Sequence, residues 1–84
     1  MKLHVLFFAR LRERLGTAEE TLVLDGVPTV SDLIAHLQAR GGAWAEELGG
    51  GKSFRVAVNQ ALVETSTAIP DGAEVAIFPL VTGG

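Results

Sequence analysis

The sequence predicts an α+β domain: a sheet of four to five strands packed on one main helix. Three observations carry that prediction. Apolar residues recur with period two in several separate segments, the pattern of strands with one buried face. One segment, Val30 to Leu37, spaces its apolar residues at three and four instead, the pattern of a helical stripe. Gly, Pro and Asp punctuate the chain between these segments. Its 84 residues suit one small domain, 1–84, with a flexible tail from about residue 79.

Taken in order, Leu3, Val5 and Phe7 form the core face of a first strand, and Lys2, His4, Leu6 and Phe8 its other face. That second face starts polar and ends apolar, which is unusual for a solvated surface. Ala9 to Leu15 reads as a short helix stopped by Gly16, with its arginines on a solvated face. Glu20 to Leu24 reads as a second strand with Leu22 and Leu24 inward, ended by Asp25-Gly26. Thr29 and Asp32 have the spacing of a capping box, with Asp in place of the preferred Glu. Val30, Leu33, Ile34 and Leu37 then make the stripe of the main helix, which runs up to Gly41-Gly42.

Ala43 to Leu48 adds a further helical turn with Trp44 and Leu48 spaced to pack together. Gly49-Gly50-Gly51 reads as a flexible break within the domain. Phe54, Val56 and Val58 mark a third strand, and Asn59-Gln60 a tight turn into a short return strand, Ala61 to Val63. Ile69-Pro70-Asp71-Gly72 is a turn signal. Ala73 to Phe78 is the last strand, with Val75 and Ile77 inward.

Composition excludes several classes of function. There is no cysteine, which rules out disulfides, thiolate metal sites and cysteine nucleophiles, and leaves the chain without a sulfur source of its own. A net charge of −3 argues against nucleic acid and favours a neutral or basic protein partner. No apolar run approaches the roughly 18 residues of a membrane span, and the N-terminal segment alternates like a strand instead of resembling a signal peptide. The expectation is a cytoplasmic protein with no membrane partner.

Candidate chemistry within the body is sparse. Gly51-Lys52-Ser53 resembles the end of a phosphate-binding loop, but the first glycine of that motif is replaced by Glu46, and the order of strand and helix is reversed. The histidines, His4 and His36, have no companion at metal or dyad spacing and read as surface residues. Glu19-Glu20 and Glu46-Glu47 read as solvated charge. No cofactor or metal is expected on this chain.

Two features remain. If the first and last strands are neighbours, Phe8, Phe78 and Leu80 form an exposed apolar patch, and such patches mark interaction sites. Beyond the patch the sequence ends Val81-Thr82-Gly83-Gly84. Glycine carries no Cβ, so a Gly-Gly end enters a channel too narrow for other residues. The expectation is that the Gly84 α-carboxylate reacts once a partner enzyme activates it, for example as an acyl-adenylate.

In order along the chain, Val5-Leu6-Phe7-Phe8-Ala9-Arg10, Pro28-Thr29-Val30, Val58-Asn59-Gln60, Asp71-Gly72-Ala73-Glu74-Val75 and Phe78-Pro79-Leu80-Val81-Thr82-Gly83-Gly84 resemble the small-subunit family of molybdopterin synthase (MoaD type), related to the thiamine sulfur carriers (ThiS type). The resemblance implies a β-grasp, ubiquitin-like fold, in which the four to five strands form a mixed sheet. It implies that an E1-like adenylyltransferase uses ATP to adenylate Gly84, and that a sulfur donor protein converts the adenylate to a thiocarboxylate. Val81, Thr82, Gly83 and Gly84 then enter the synthase large subunit, docked through Phe8, Phe78 and Leu80, in a heterotetramer. Sulfur passes to cyclic pyranopterin monophosphate, with catalytic and pterin-binding residues supplied by the large subunit. Leu80 departs from the family, which commonly has a second proline there, and this bears on the stiffness of the stem. A carrier for thiamine or another thiolated product, a ubiquitin-like modifier and a regulatory module without tail chemistry remain alternatives at this point.

Overall fold

The computed structural model describes residues 1–26, 28–49 and 53–80. The elements are β1 (Lys2–Phe7), α1 (Ala9–Leu15), β2 (Glu19–Val23), α2 (Val30–Gln38), α3 (Gly42–Leu48), β3 (Phe54–Val58), β4 (Ala61–Val63) and β5 (Glu74–Pro79). The strands form one mixed sheet in the order β2-β1-β5-β3-β4. The central pair, β1 and β5, is parallel, and every other pair is antiparallel.

Local sequence explains each element. In β1 the alternation buries Leu3, Val5 and Phe7, and the antiparallel register sets Leu3 opposite Leu22 of β2. Gly16 ends α1 in the left-handed region (φ 73°), where its N–H donates to the Arg12 carbonyl. The capping box of α2 is formed in both directions: Asp32 N–H donates to Thr29 Oγ1 (3.1 Å) and Thr29 N–H to Asp32 Oδ2 (2.9 Å). Behind it Val30, Leu33, Ile34 and Leu37 are all buried against the sheet. Asn59 and Gln60 turn the β3–β4 hairpin with φ 48° and 72°, the sign that a two-residue turn needs to match strand twist.

The parallel pair is pinned at its start by the turn before β5. Gly72 N–H donates to the Lys2 carbonyl (2.7 Å), Lys2 N–H to Asp71 Oδ1 (2.8 Å) and His4 N–H to the Ala73 carbonyl (3.0 Å). Asn59 holds the same strand from the other side, accepting from Glu74 N–H through Oδ1 and donating its own N–H to the Glu74 carbonyl. Val75 and Ile77 are thereby fixed in the core beside Val5 and Phe7.

Two helices beyond the main one complete the layer. Trp44 of α3 is half-buried and meets Phe7 edge-on, with ring centroids 5.4 Å apart, while the Arg40 guanidinium lies 4.5 Å above its ring. Arg40 also grips Glu20 of β2 with both terminal nitrogens, so the α2–α3 corner is tied to the sheet. Gln38 Nε2 caps α3 at the Leu48 carbonyl (2.8 Å). Gly49 must be glycine, because a Cβ there would collide with that amide and lie 2.9 Å from the Ala45 carbonyl.

Removing the cap by Thr29→Ala is expected to cost about 1 kcal/mol, read as a lower melting temperature with the fold retained. The pH dependence follows from Asp32. The Thr29 N–H, and then its hydroxyl, hold the Asp32 carboxyl below its ordinary value. A carboxyl lowered in the folded state contributes stability above its unfolded pKa and loses it as pH falls through the folded value. Melting temperature is therefore expected to fall below about pH 4, and Asp32→Asn should flatten part of that fall in a pH series of thermal melts.

Candidate functional site

The outer face of the sheet, away from the helices, is ordered in rows by the strand registers. One row is polar: Thr21, His4 and Glu74 stand side by side on β2, β1 and β5, with His4 Nε2 3.4 Å from Glu19 Oε2. The next row is apolar across four strands: Leu6, Ala76, Ala57 and Leu62. Two alanines at its centre and two leucines at its ends make a shallow groove. Ala76 is 8% exposed, whereas Leu62 is 69% exposed.

The third row is aromatic. Phe78 of β5 stacks on Phe8 with ring centroids 4.8 Å apart and planes 13° from parallel. Such an offset pair contributes about 0.5–1.5 kcal/mol beyond the area it buries. Phe8 is nevertheless 39% exposed. Arg55 of β3 lies opposite Phe78 on the same face. Leu80 follows, also exposed, and its N–H donates to the Ser53 carbonyl (3.0 Å), so hydrogen bonding to the β3 side continues past Pro79. The structure thus brings Phe8 and Phe78 together, with Leu80 just beyond. Val81, Thr82, Gly83 and Gly84 lie outside the described residues.

Phe8 does not sit within the first strand as expected. The strand ends at Phe7, and Phe8 takes the N-cap position of α1 with extended backbone. The chain turns from sheet to helix at Ala9, whose φ is 51°. A residue with a Cβ in the left-handed region costs about 1–2 kcal/mol relative to the right-handed form. Ala18 accepts the Phe7 N–H, and Phe8 accepts from Leu11 N–H, so backbone bonds fix both sides of the bend.

One expectation is corrected outright. Glu47 is not solvated charge; it is 4% exposed. Its Oε1 accepts from Arg10 Nε at 2.8 Å, and its Oε2 lies 3.5 Å from Arg14 Nε. Arg14 also lies 3.5 Å from Glu46. The arginine face of α1 is therefore partly committed to α3, and the Glu47 carboxylate holds the Arg10 guanidinium above its ordinary pKa. The available signal was the spacing: Trp44 and Glu47 are three apart on one helix, and Arg10 and Arg14 four apart on another, so each pair shares a face.

The parallel central pair, with one antiparallel strand beyond β1 and two beyond β5, and the packed main helix define a β-grasp, ubiquitin-like domain with an apolar groove on its free sheet face. The chain belongs to the ThiS family, whose model matches residues 5–84. It is 49% identical to the molybdopterin synthase sulfur carrier subunit of Escherichia coli, over 95% of this chain and 96% of that protein. Among solved structures it resembles small archaeal modifier protein 1 of Haloferax volcanii, with TM-score 0.82, 26% identity, and coverage of 95% and 98% of the two chains. It also resembles a chain in the complex of subunits 1 and 2 of the molybdopterin-converting factor from Helicobacter pylori, with TM-score 0.70, 25% identity and full coverage of both chains.

Phe78→Asp tests the assignment of the aromatic row to the outer face. The core side of β5 is carried by Val75 and Ile77, so the variant is expected to fold, losing about 1–2 kcal/mol with the stack. A native-like circular dichroism spectrum with a lowered melting temperature is the expected result. An unfolded variant would place Phe78 in the core.

Proposed function

We propose that this chain is the sulfur-carrier subunit of molybdopterin synthase. The observation that carries this reading is its 49% identity, over 95% of its length, to a molybdopterin synthase sulfur carrier subunit. The reacting group is the α-carboxylate of Gly84. An E1-like adenylyltransferase joins it to the adenylyl group of ATP with release of pyrophosphate. A sulfur donor protein then displaces AMP and leaves a thiocarboxylate. Val81 to Gly84 enter the large subunit, and the sulfur passes to cyclic pyranopterin monophosphate as the dithiolene of molybdopterin is built. Acid-base groups and the pterin site belong to the large subunit, ATP belongs to the activating enzyme, and the reading assigns no cofactor or metal to this chain. The assembly is a cytoplasmic heterotetramer.

In this reading the two parts of the chain have separate tasks. The tail supplies the chemistry, and glycine at 83 and 84 lets it fit a narrow channel. The body supplies affinity, through the groove of Leu6, Ala57, Ala76 and Leu62 and the aromatic pair Phe8 and Phe78. An exposed apolar groove with aromatic anchors has the composition of an interface core. The Helicobacter pylori complex, in which a chain of the same fold is found with the second converting-factor subunit, supports docking of this kind.

A ubiquitin-like modifier is the second reading, favoured by the likeness to a small archaeal modifier protein. Intact mass after incubation with ATP, an E1-like enzyme and a sulfur donor separates the two. A sulfur-for-oxygen exchange at the terminus is expected; an adduct on a lysine amine would establish the modifier instead.

Two variants probe the division of labour. Phe78→Asp is expected to weaken binding of the large subunit by about 2 kcal/mol, the scale of an aromatic anchor, when titrated by calorimetry. Adding one alanine after Gly84 displaces the carboxylate by about 3.3–3.6 Å. A misplacement of even about 1 Å costs roughly a hundredfold in rate. The extended protein is expected to melt normally, bind the large subunit and form no thiocarboxylate. Normal sulfur transfer by it would remove the terminal carboxylate from the mechanism.

A further inference from the structure

We infer that the buried Glu47 is a positioning residue for Phe8: by holding Arg10, it sets through the left-handed Ala9 the pose in which Phe8 stacks on Phe78. The inference rests on the reading of the Phe8–Phe78 row as a docking face, but its first readout does not depend on any partner.

Three observations meet in three consecutive residues. Phe8 stacks on Phe78 at 4.8 Å. Ala9 stands at φ 51°, a conformation that an alanine does not adopt without constraint. Arg10 bonds through Nε to Glu47 at 2.8 Å. A strained residue persists only where its surroundings over-determine it, and such residues gather at functional places. Here the constraint comes from both sides. The aromatic stack holds the residue before Ala9, and the ion pair holds the residue after it. The Leu11 and Arg12 N–H groups also bond the Phe8 carbonyl across the bend (3.1 and 3.4 Å), so loss of the ion pair removes one constraint of several and lets a rotation at Ala9 shift the Phe8 ring relative to α1.

The burial of Glu47 points the same way. Its side chain is 2% exposed, while those of Arg10 and Arg14 are 58% and 47% exposed. A carboxylate taken out of water to meet two half-solvated arginines is a poor source of stability, and an apolar residue of similar size in its place is often neutral or better. The pair acts instead on orientation. It fixes α1 against α3, which is itself anchored to β1 by the Trp44–Phe7 contact, so the reference frame for Phe8 is the core.

The test separates positioning from stability. In Glu47→Leu Arg10 loses its carboxylate partner, Arg14 keeps Glu46 beside it, and an apolar side chain of similar size fills the buried position. The melting temperature is expected to stay within about 3 °C of wild type. The nuclear Overhauser contacts between the Phe8 and Phe78 rings should weaken, and the large subunit should bind about tenfold less tightly. Ala9→Gly removes the strain that the ion pair opposes, so in that background Glu47→Leu should cost less than about twofold in affinity, a coupling of neighbouring sites. Should Glu47→Leu fail to fold, Arg10→Gln breaks the same link from the exposed side and is read in the same way. Ring contacts in either folded variant that match wild type overturn the inference, as does an equal affinity loss with Gly at position 9. Weakened ring contacts with undiminished affinity leave the positioning role standing and take the Phe8–Phe78 row out of the interface.

Discussion

The parallel pairing of β1 with β5 is the constraint on which the rest of this molecule depends. The pair joins segments about seventy positions apart, as the 69-residue separation of the Lys2–Asp71 bond shows. Parallel neighbours cannot be joined by a tight turn, so the chain between them must cross the sheet. It does so with α2, whose buried stripe becomes the lid of the core. The antiparallel strands then attach outward, β2 to β1 and β3 to β5, each through a short local connection or a long return. Because β1 and β5 lie side by side in register, Leu6 meets Ala76 and the two phenylalanines that follow can stack. The groove on the free face is thus a product of the central pair, not of any one segment.

What was legible in the sequence was what depends on near neighbours. Alternation located four strands, the Asn59-Gln60 turn located the short return strand, and the Thr29–Asp32 spacing located the start of the main helix to the residue. Asn59-Gln60 and Pro70-Asp71-Gly72 marked real turns, because positive φ and side-chain acceptors are properties of the residues themselves. The expectation that Phe8 and Phe78 lie together required only that the first and last strands be adjacent, which the topology bears out. The burial of Glu47 was not legible in the same way. Two adjacent glutamates look solvated until an arginine 37 positions away is brought against one of them. The turn at Ala9 was hidden for a similar reason: nothing in an alanine announces a left-handed backbone, which tertiary contacts impose. Val81 to Gly84, where the reactive end was expected, lie outside the described residues.

The proposed function divides affinity from chemistry over different parts of one small chain. A groove floored by alanine and walled by leucine and phenylalanine presents a preformed surface, and the bonds around Phe7, Phe8 and Leu80 keep its backbone in place. Preformed surfaces lose less entropy on docking, so a modest area can still hold a partner. The polar row of Thr21, His4 and Glu74 bounds the apolar rows on one side and gives the face a direction.

The edges of the sheet carry a last consequence. An uncovered strand edge is a template for another chain, and 48% of these residues are hydrophobic. Here the β4 edge is only three residues long, and β2 opens with Glu19 and Glu20, the second already engaged by Arg40. A short edge and a charged edge leave little for a second copy to extend. These two edges let the protein expose an apolar face without polymerising through its backbone.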